Sequence, residues 1–144
     1  MVIEREKYTT KVRPYVKEWY EYLWQGKLMG VKCQECGAIG FPPFPVCGEC
    51  SGTDLEWVEM SGEGMLETFT YYQYGCLPFT QGPVNIGYVK LKEGTEFMSW
   101  VVDLTTDIDE QEKFKDTLPV PVTIEIRRFD EENQIAYPVF HLKQ

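Results

Sequence analysis

The chain has 144 residues, 43% of them hydrophobic and 15% aromatic, which is enough for a buried core and argues against general disorder. A formal net charge of −9 argues against a phosphate-binding surface, because nucleic-acid affinity comes from clustered Lys and Arg, and against docking on an anionic membrane. No run reaches the roughly eighteen apolar residues of a spanning helix, and the N-terminus MVIEREKYTT lacks the apolar stretch of a secretory signal, so a cytoplasmic protein is expected.

Three parts follow one another: a helical segment over 1–27, a metal-bound ribbon over 28–54 and a strand-rich domain over 55–144. In the first, Val12, Val16, Trp19, Tyr20 and Leu23 recur at helical spacing and predict a helix from about Thr10 to Gly26. Pro14 suits a first-turn position and Gly26 a stop. Trp19, Tyr20, Tyr22 and Trp24 carry more rings than one stripe holds. Those rings either pack on the rest of the chain or form a surface for a partner protein.

The second part contains Cys33-Gln-Glu-Cys36, ten intervening residues, then Cys47-Gly-Glu-Cys50. Thiols stay reduced in the cytoplasm, so paired cysteines read as metal ligands before disulfides. A two-residue gap lets both sulfurs of a knuckle reach one ion, and Gly37 and Gly48 provide permissive backbone for the turns. Two knuckles give four ligands and no open position, the donor set of one structural zinc ion. No βαβ pattern surrounds either pair, which argues against a thioredoxin-like redox role. Between the knuckles, Pro42, Pro43 and Pro45 exclude a helix and predict a stiff, extended loop.

In the third part LEWVEM, MLETFTYYQY, VNIGYVKL, EFMSWVVDL, VPVTIEIRRF and IAYPVFHL read as strands. Val122, Ile124 and Ile126 alternate with Thr123, Glu125 and Arg127, one set for each face. The stretch from Asp107 to Asp116 reads as a polar, acidic loop. Five or so strands suggest a small closed barrel; an OB-fold fits, although other small barrels or a sandwich share that count. The fold class expected is therefore mainly β.

No catalytic constellation stands out. Cys76 lies in the loop YGCLPFTQGP, and the only histidine, His141, ends the last strand. A nucleophilic cysteine needs a base or an electropositive setting, and nothing in the sequence requires these two to meet. A packed thiol and a hydrogen-bonded strand histidine are the expected roles. With no catalytic residue assigned, the chain reads as a binding or accessory subunit.

One family matches this order of features. Gly26-Lys27-Leu28 after the helix, the knuckles with Pro42-Pro43 between them, Glu56-Trp57-Val58 leading to Ser61-Gly62 and Gly64, and the ending Tyr137 to Phe140 resemble domain of unknown function thirty-five. The resemblance covers nearly the whole chain. It implies a rubredoxin-like zinc ribbon followed by a C-terminal five-stranded OB-fold barrel. It also implies a hetero-oligomer with a thiolase-superfamily protein, or with a related aldolase or acyl-CoA hydratase, whose own Cys and His do the chemistry. Within the family the leaning is toward thiolytic cleavage of a bulky or aromatic acyl-CoA, as in the benzoylsuccinyl-CoA step of anaerobic toluene degradation. A coenzyme A thioester would then be bound at a site shared with the partner. Tyr74 and Phe79, flanking a Gly/Pro-rich loop, are the candidate contacts. The alternatives are a nucleic-acid-binding zinc-ribbon/OB module and an independent enzyme using Cys76.

Overall fold

The structure, a computed structural model, describes residues 14–74 and 82–143. Helix α1 spans Pro14–Trp24. It stops where expected: Gly26 takes φ +82°, its N–H bonds Leu23 O at 3.0 Å, and the Lys27 N–H bonds Tyr22 O at 2.9 Å. That pair of bonds is the Schellman stop, which needs a left-handed residue at this position. Thr10 and Val12 lie outside the described residues.

Three short strands follow: β1 Met29–Cys33, β2 Ile39–Gly40 and β3 Leu55–Glu59. They form one antiparallel sheet in the order β2-β1-β3. The sequence groups Leu55–Glu59 with the strands that follow it. The backbone instead pairs it with β1, Val58 opposite Gly30 and Leu55 opposite Cys33. Its half-exposed side chains complete the ribbon rather than a barrel wall.

The remaining strands are β4 Glu63–Tyr72, β5 Val84–Leu91, β6 Glu96–Trp100, β7 Val120–Asp130 and β8 Ile135–Leu142. Their order is β6-β5-β4-β7-β8, every neighbour antiparallel. The two ends of this sheet approach one another. Val101 pairs in parallel with Phe140, the Val102 N–H bonds Phe140 O at 3.0 Å, and Ser99 Oγ donates to Pro138 O. The result is a nearly closed five-stranded barrel, so the OB-fold expectation holds and the sandwich is excluded.

Alternation explains the barrel. Val89, Val122, Ala136 and Phe140 point inward and are at most 1% exposed. Where strands cross closely there is no room for a side chain: a Cβ at Gly64 would lie 2.7 Å from Lys90 O and 2.6 Å from Val89 Cγ1. The core is continuous across the parts, because Trp19 and Leu23 of α1 and Phe41 of the proline loop join Phe97 and Phe140 of the barrel in one buried cluster.

The acidic stretch expected as a loop contains a second helix, α2 Ile108–Lys115. Asp107 caps it by accepting the Glu110 N–H at 3.0 Å, Asp109 and Glu110 fill the first turn, and Lys113 and Lys115 the last. Each choice complements the helix dipole. The segment looked like a loop because it shows no apolar stripe; the residue it buries is a glutamine, Gln111. Gln111 Nε2 donates to Asn85 Oδ1 at 2.8 Å and to Thr105 O at 2.7 Å. This buried polar network ties the helix to β5, and a single ring, Phe114, packs on Phe69 of β4 at 5.9 Å.

Candidate metal centre

The two cysteine knuckles are built to the same backbone plan. Gly37 N–H bonds Cys33 O at 2.9 Å, and Ser51 N–H bonds Cys47 O at 3.0 Å. Cys33 N–H then reaches Ala38 O and Cys47 N–H reaches Gly52 O, each at 2.8 Å. The residue after each second cysteine must turn left-handed: Gly37 has φ +79° and Ser51 φ +61°. Glycine takes that conformation freely, while serine does so at a cost. The sequence pointed to Gly48 for the second turn, but the left-handed position is Ser51.

These turns bring four sulfurs together. All four Sγ atoms lie within 4.8 Å of one another. Cys33 and Cys50 are 3.5 Å apart and Cys36 and Cys47 3.6 Å. Tetrahedral coordination with Zn–S near 2.3 Å spaces sulfurs about 3.8 Å apart, so the donor set fits one zinc ion. Cys33 and Cys47 are buried and the other two are exposed. Cys47 is drawn down to about 7, first by the Cys50 backbone N–H and then by that of Glu49. The Gly52 backbone N–H pulls Cys50 the same way, yet the sulfurs of Cys33 and Cys36 outweigh it and push this thiol up to about 12. Four thiolates repel at this distance, and a dication is what allows all of them to stay deprotonated. With four protein ligands, the site has no position for a substrate.

The other sequence candidates fall in different places. His141 lies on β8 and is bridged by two carboxylates: one ring nitrogen contacts Glu125 Oε2 on β7, and Nδ1 lies 3.5 Å from Asp103 Oδ2. Asp103 also accepts the Leu142 N–H at 2.9 Å. Arg127 Nη2 donates to Glu125 at 3.1 Å and holds that carboxyl below the usual range, with His141 adding to the effect. His141 therefore has hydrogen-bonding partners, as expected, and pins the barrel seam. The sequence offered no route to this cluster, since its members come from three separate segments. Tyr74 is 77% exposed beside Tyr72, ring centroids 6.5 Å apart. Cys76 and Phe79 lie outside the described residues.

The aromatic rings of α1 pack on their own chain. Trp19 meets Phe41 and Tyr137 at 5.8 and 6.0 Å, and Tyr22 meets Trp57 at 5.2 Å. The Arg128 guanidinium lies 4.0 Å from the Trp24 ring centroid and donates to Trp24 O at 2.9 Å. One of the two adjacent arginines is thus committed to the helix and the other to Glu125. Among the described residues no helix is long and apolar enough to cross a membrane.

Known proteins share this architecture. Residues 23–56 match the model for the ChsH2 rubredoxin-like zinc ribbon domain, and residues 57–124 that for the ChsH2 C-terminal OB-fold domain. A DUF35 domain-containing scaffold protein of Pyrococcus furiosus is 31% identical over 121 residues, spanning 83% of this chain and 85% of the relative. A probable enoyl-CoA hydratase alpha subunit of Thermomonospora curvata is 27% identical over 122 residues, 85% of this chain but 35% of the relative. The benzoylsuccinyl-CoA thiolase subunit BbsA of Thauera aromatica is 33% identical over 66 residues, 46% of this chain and 45% of the relative. The Ltp2-ChsH2(DUF35) aldolase structure superposes with a TM-score of 0.74 over 92% of this chain and 98% of the other, at 24% identity, a likeness of fold. From the paired zinc-ribbon and OB-fold matches and the Pyrococcus relative, the chain belongs to the DUF35 family of zinc-ribbon/OB-fold proteins.

Proposed function

We propose that this chain is a non-catalytic accessory subunit of a thiolase-type acyl-CoA enzyme in the cytoplasm. The observation that carries the reading is the closed four-sulfur site, with every Sγ within 4.8 Å of the others. Such a site holds shape and performs no hydrolysis. Zinc bound by Cys33, Cys36, Cys47 and Cys50 would fix the ribbon and its proline loop as a rigid piece for the partner to grip. Helix α1 bridges the ribbon, which Leu55–Glu59 completes, and the barrel. The polar cluster at His141 supports the same reading, because its charges are spent on one another, within β7–β8 and, through Asp103, across the barrel seam.

Relatives bearing the names scaffold protein, thiolase subunit and hydratase subunit favour an acyl-CoA enzyme as partner. The thiolase subunit BbsA favours a bulky or aromatic acyl group. The partner supplies the catalytic residues and most of the positive charge for coenzyme A, since this chain carries −9. Tyr74 and Phe79 contribute from the rim of that shared entrance. A second reading, the same role beside an aldolase or hydratase, draws on the hydratase relative and on the aldolase fold match.

Co-expression with a thiolase-type acyl-CoA enzyme subunit of the same genome tests the proposal. The two should co-elute at a fixed ratio, and the partner expressed alone should lose solubility or turnover. A partner equally soluble and active without this chain contradicts the proposal.

A further inference from the structure

The outer wall of the barrel formed by β4, β5 and β6 is apolar where solvent should favour polar residues. Strand register places these side chains side by side: Ile86 lies opposite Trp100 and Thr70, Tyr88 opposite Met98 and Thr68, and Tyr72 opposite Val84. Their neighbours along β5 and β6, Asn85, Gly87, Val89, Phe97 and Ser99, are buried, so the alternation turns this set outward. Met98 is 61% exposed and Tyr72 50%, and Tyr74 extends the wall at the end of β4. Trp100 stacks edge-on against Phe129 at 4.9 Å, which continues the wall to the β7–β8 hairpin. A contiguous apolar face of this kind marks a docking surface.

The charges around it select the occupant. At one end the exposed Glu96 lies two residues before Met98 on β6, and the exposed Glu67 precedes Thr68, the residue opposite Tyr88. At the other end Phe129 leads into the turn Asp130-Glu131-Glu132. Five carboxylates therefore lie toward the two ends of the face; of the nearby cations, Lys90 is paired in register with Glu96 and Arg127 is bonded to Glu125. A second copy of the chain would set these carboxylates against their own copies, because a two-fold contact matches a patch to the same patch. Phosphate-bearing surfaces, nucleic acid or anionic membrane, are repelled for the same reason.

We infer that the outer face of β4–β5–β6, centred on Tyr88 and Met98, docks a protein that presents an apolar patch inside a basic rim. This rests on the accessory-subunit reading and adds a partner contact on the barrel to the one proposed for the ribbon. A coenzyme A enzyme, which must carry basic residues for the phosphates of its substrate, has that chemistry to offer.

The test measures binding of the purified chain to the thiolase-type acyl-CoA enzyme subunit with which it co-elutes, by calorimetry, at low and high salt. Met98→Glu should weaken binding about 30-fold or more, the loss expected of a central contact. Ile108→Glu, at a 62% exposed site on α2, should leave it unchanged. Glu67→Lys should weaken binding and flatten its salt dependence. Circular dichroism establishes that each variant is folded. Wild-type binding unaffected by Met98→Glu overturns the docking face and leaves the subunit reading standing. Absence of wild-type binding overturns both. A wild-type homodimer that Met98→Glu dissociates also overturns the inference, in favour of a second copy.

Discussion

The indole N–H of Trp19 donates to the carbonyl oxygen of Met29 at 2.9 Å. This one bond joins the helix to the first ribbon strand, and the same ring packs on Phe41 of the proline loop and Tyr137 of the barrel. One side chain of the helix thus touches the ribbon, the proline loop and the barrel and, at 3% exposure, does so out of water. Trp19→Ala should cost about 3–5 kcal/mol, the usual range for a deleted core ring. Trp19→Phe should cost less, since it keeps most of the packing and leaves Met29 O without this donor. Urea unfolding of both variants checks the order.

Metal analysis should give about one zinc per chain. Chelation should unfold the ribbon, as the binding energy of such sites is folding energy. Because Phe41 belongs to the common core, the loss should reach the barrel and lower its thermal midpoint as well. Cys33→Ser, at a buried ligand position, should reproduce the effect without chelator. A chain that melts identically with and without chelator would contradict this.

Gln111 is the buried anchor of α2. Removing its side chain in Gln111→Ala withdraws the donor on Asn85 Oδ1. A buried acceptor left unpaired costs about 1–3 kcal/mol. Glu112→Ala on the exposed side of the same helix should cost little, as its partner Lys115 is also exposed. Hydrogen exchange should show the first change opening α2 and the 105–107 segment, and the second leaving them protected.

Acid should weaken the β7–β8 pair. The carboxyl of Glu125 is held below its ordinary range by Arg127 first and His141 second. The unfolded chain therefore binds its proton at higher pH than the folded chain does. The stabilisation is fully present above the unfolded value of about 4.3 and is lost as pH falls through the lower folded value. Glu125 is 40% exposed, so the amount is about 0.5 kcal/mol, the scale of a solvent-screened pair. Glu125→Gln should flatten the acid limb of stability against pH by that amount, measured by denaturant unfolding at successive pH values.

The features legible in the sequence are those encoded locally. Cysteine spacing announced the four-sulfur cluster, Gly26 the helix stop, and the alternation around Val122 and Ile124 the wall of a barrel. Features that depend on distant partners were hidden. The Leu55–Glu59 strand reads like any other, and only its pairing with Met29–Cys33 assigns it to the ribbon. Helix α2 hid because a polar network buries it, so hydrophobic periodicity has nothing to detect. His141 gained one carboxylate neighbour, Glu125, from hairpin register and the other, Asp103, from barrel closure, which no short-range pattern encodes.

The accessory-subunit proposal is tested most directly by the turnover of a thiolase-type acyl-CoA enzyme of the same genome, titrated with this chain. Acyl-CoA turnover should rise and saturate at a fixed molar ratio, while the chain alone turns over nothing. The same maximal turnover without the chain, or turnover by the chain by itself, would contradict the assignment.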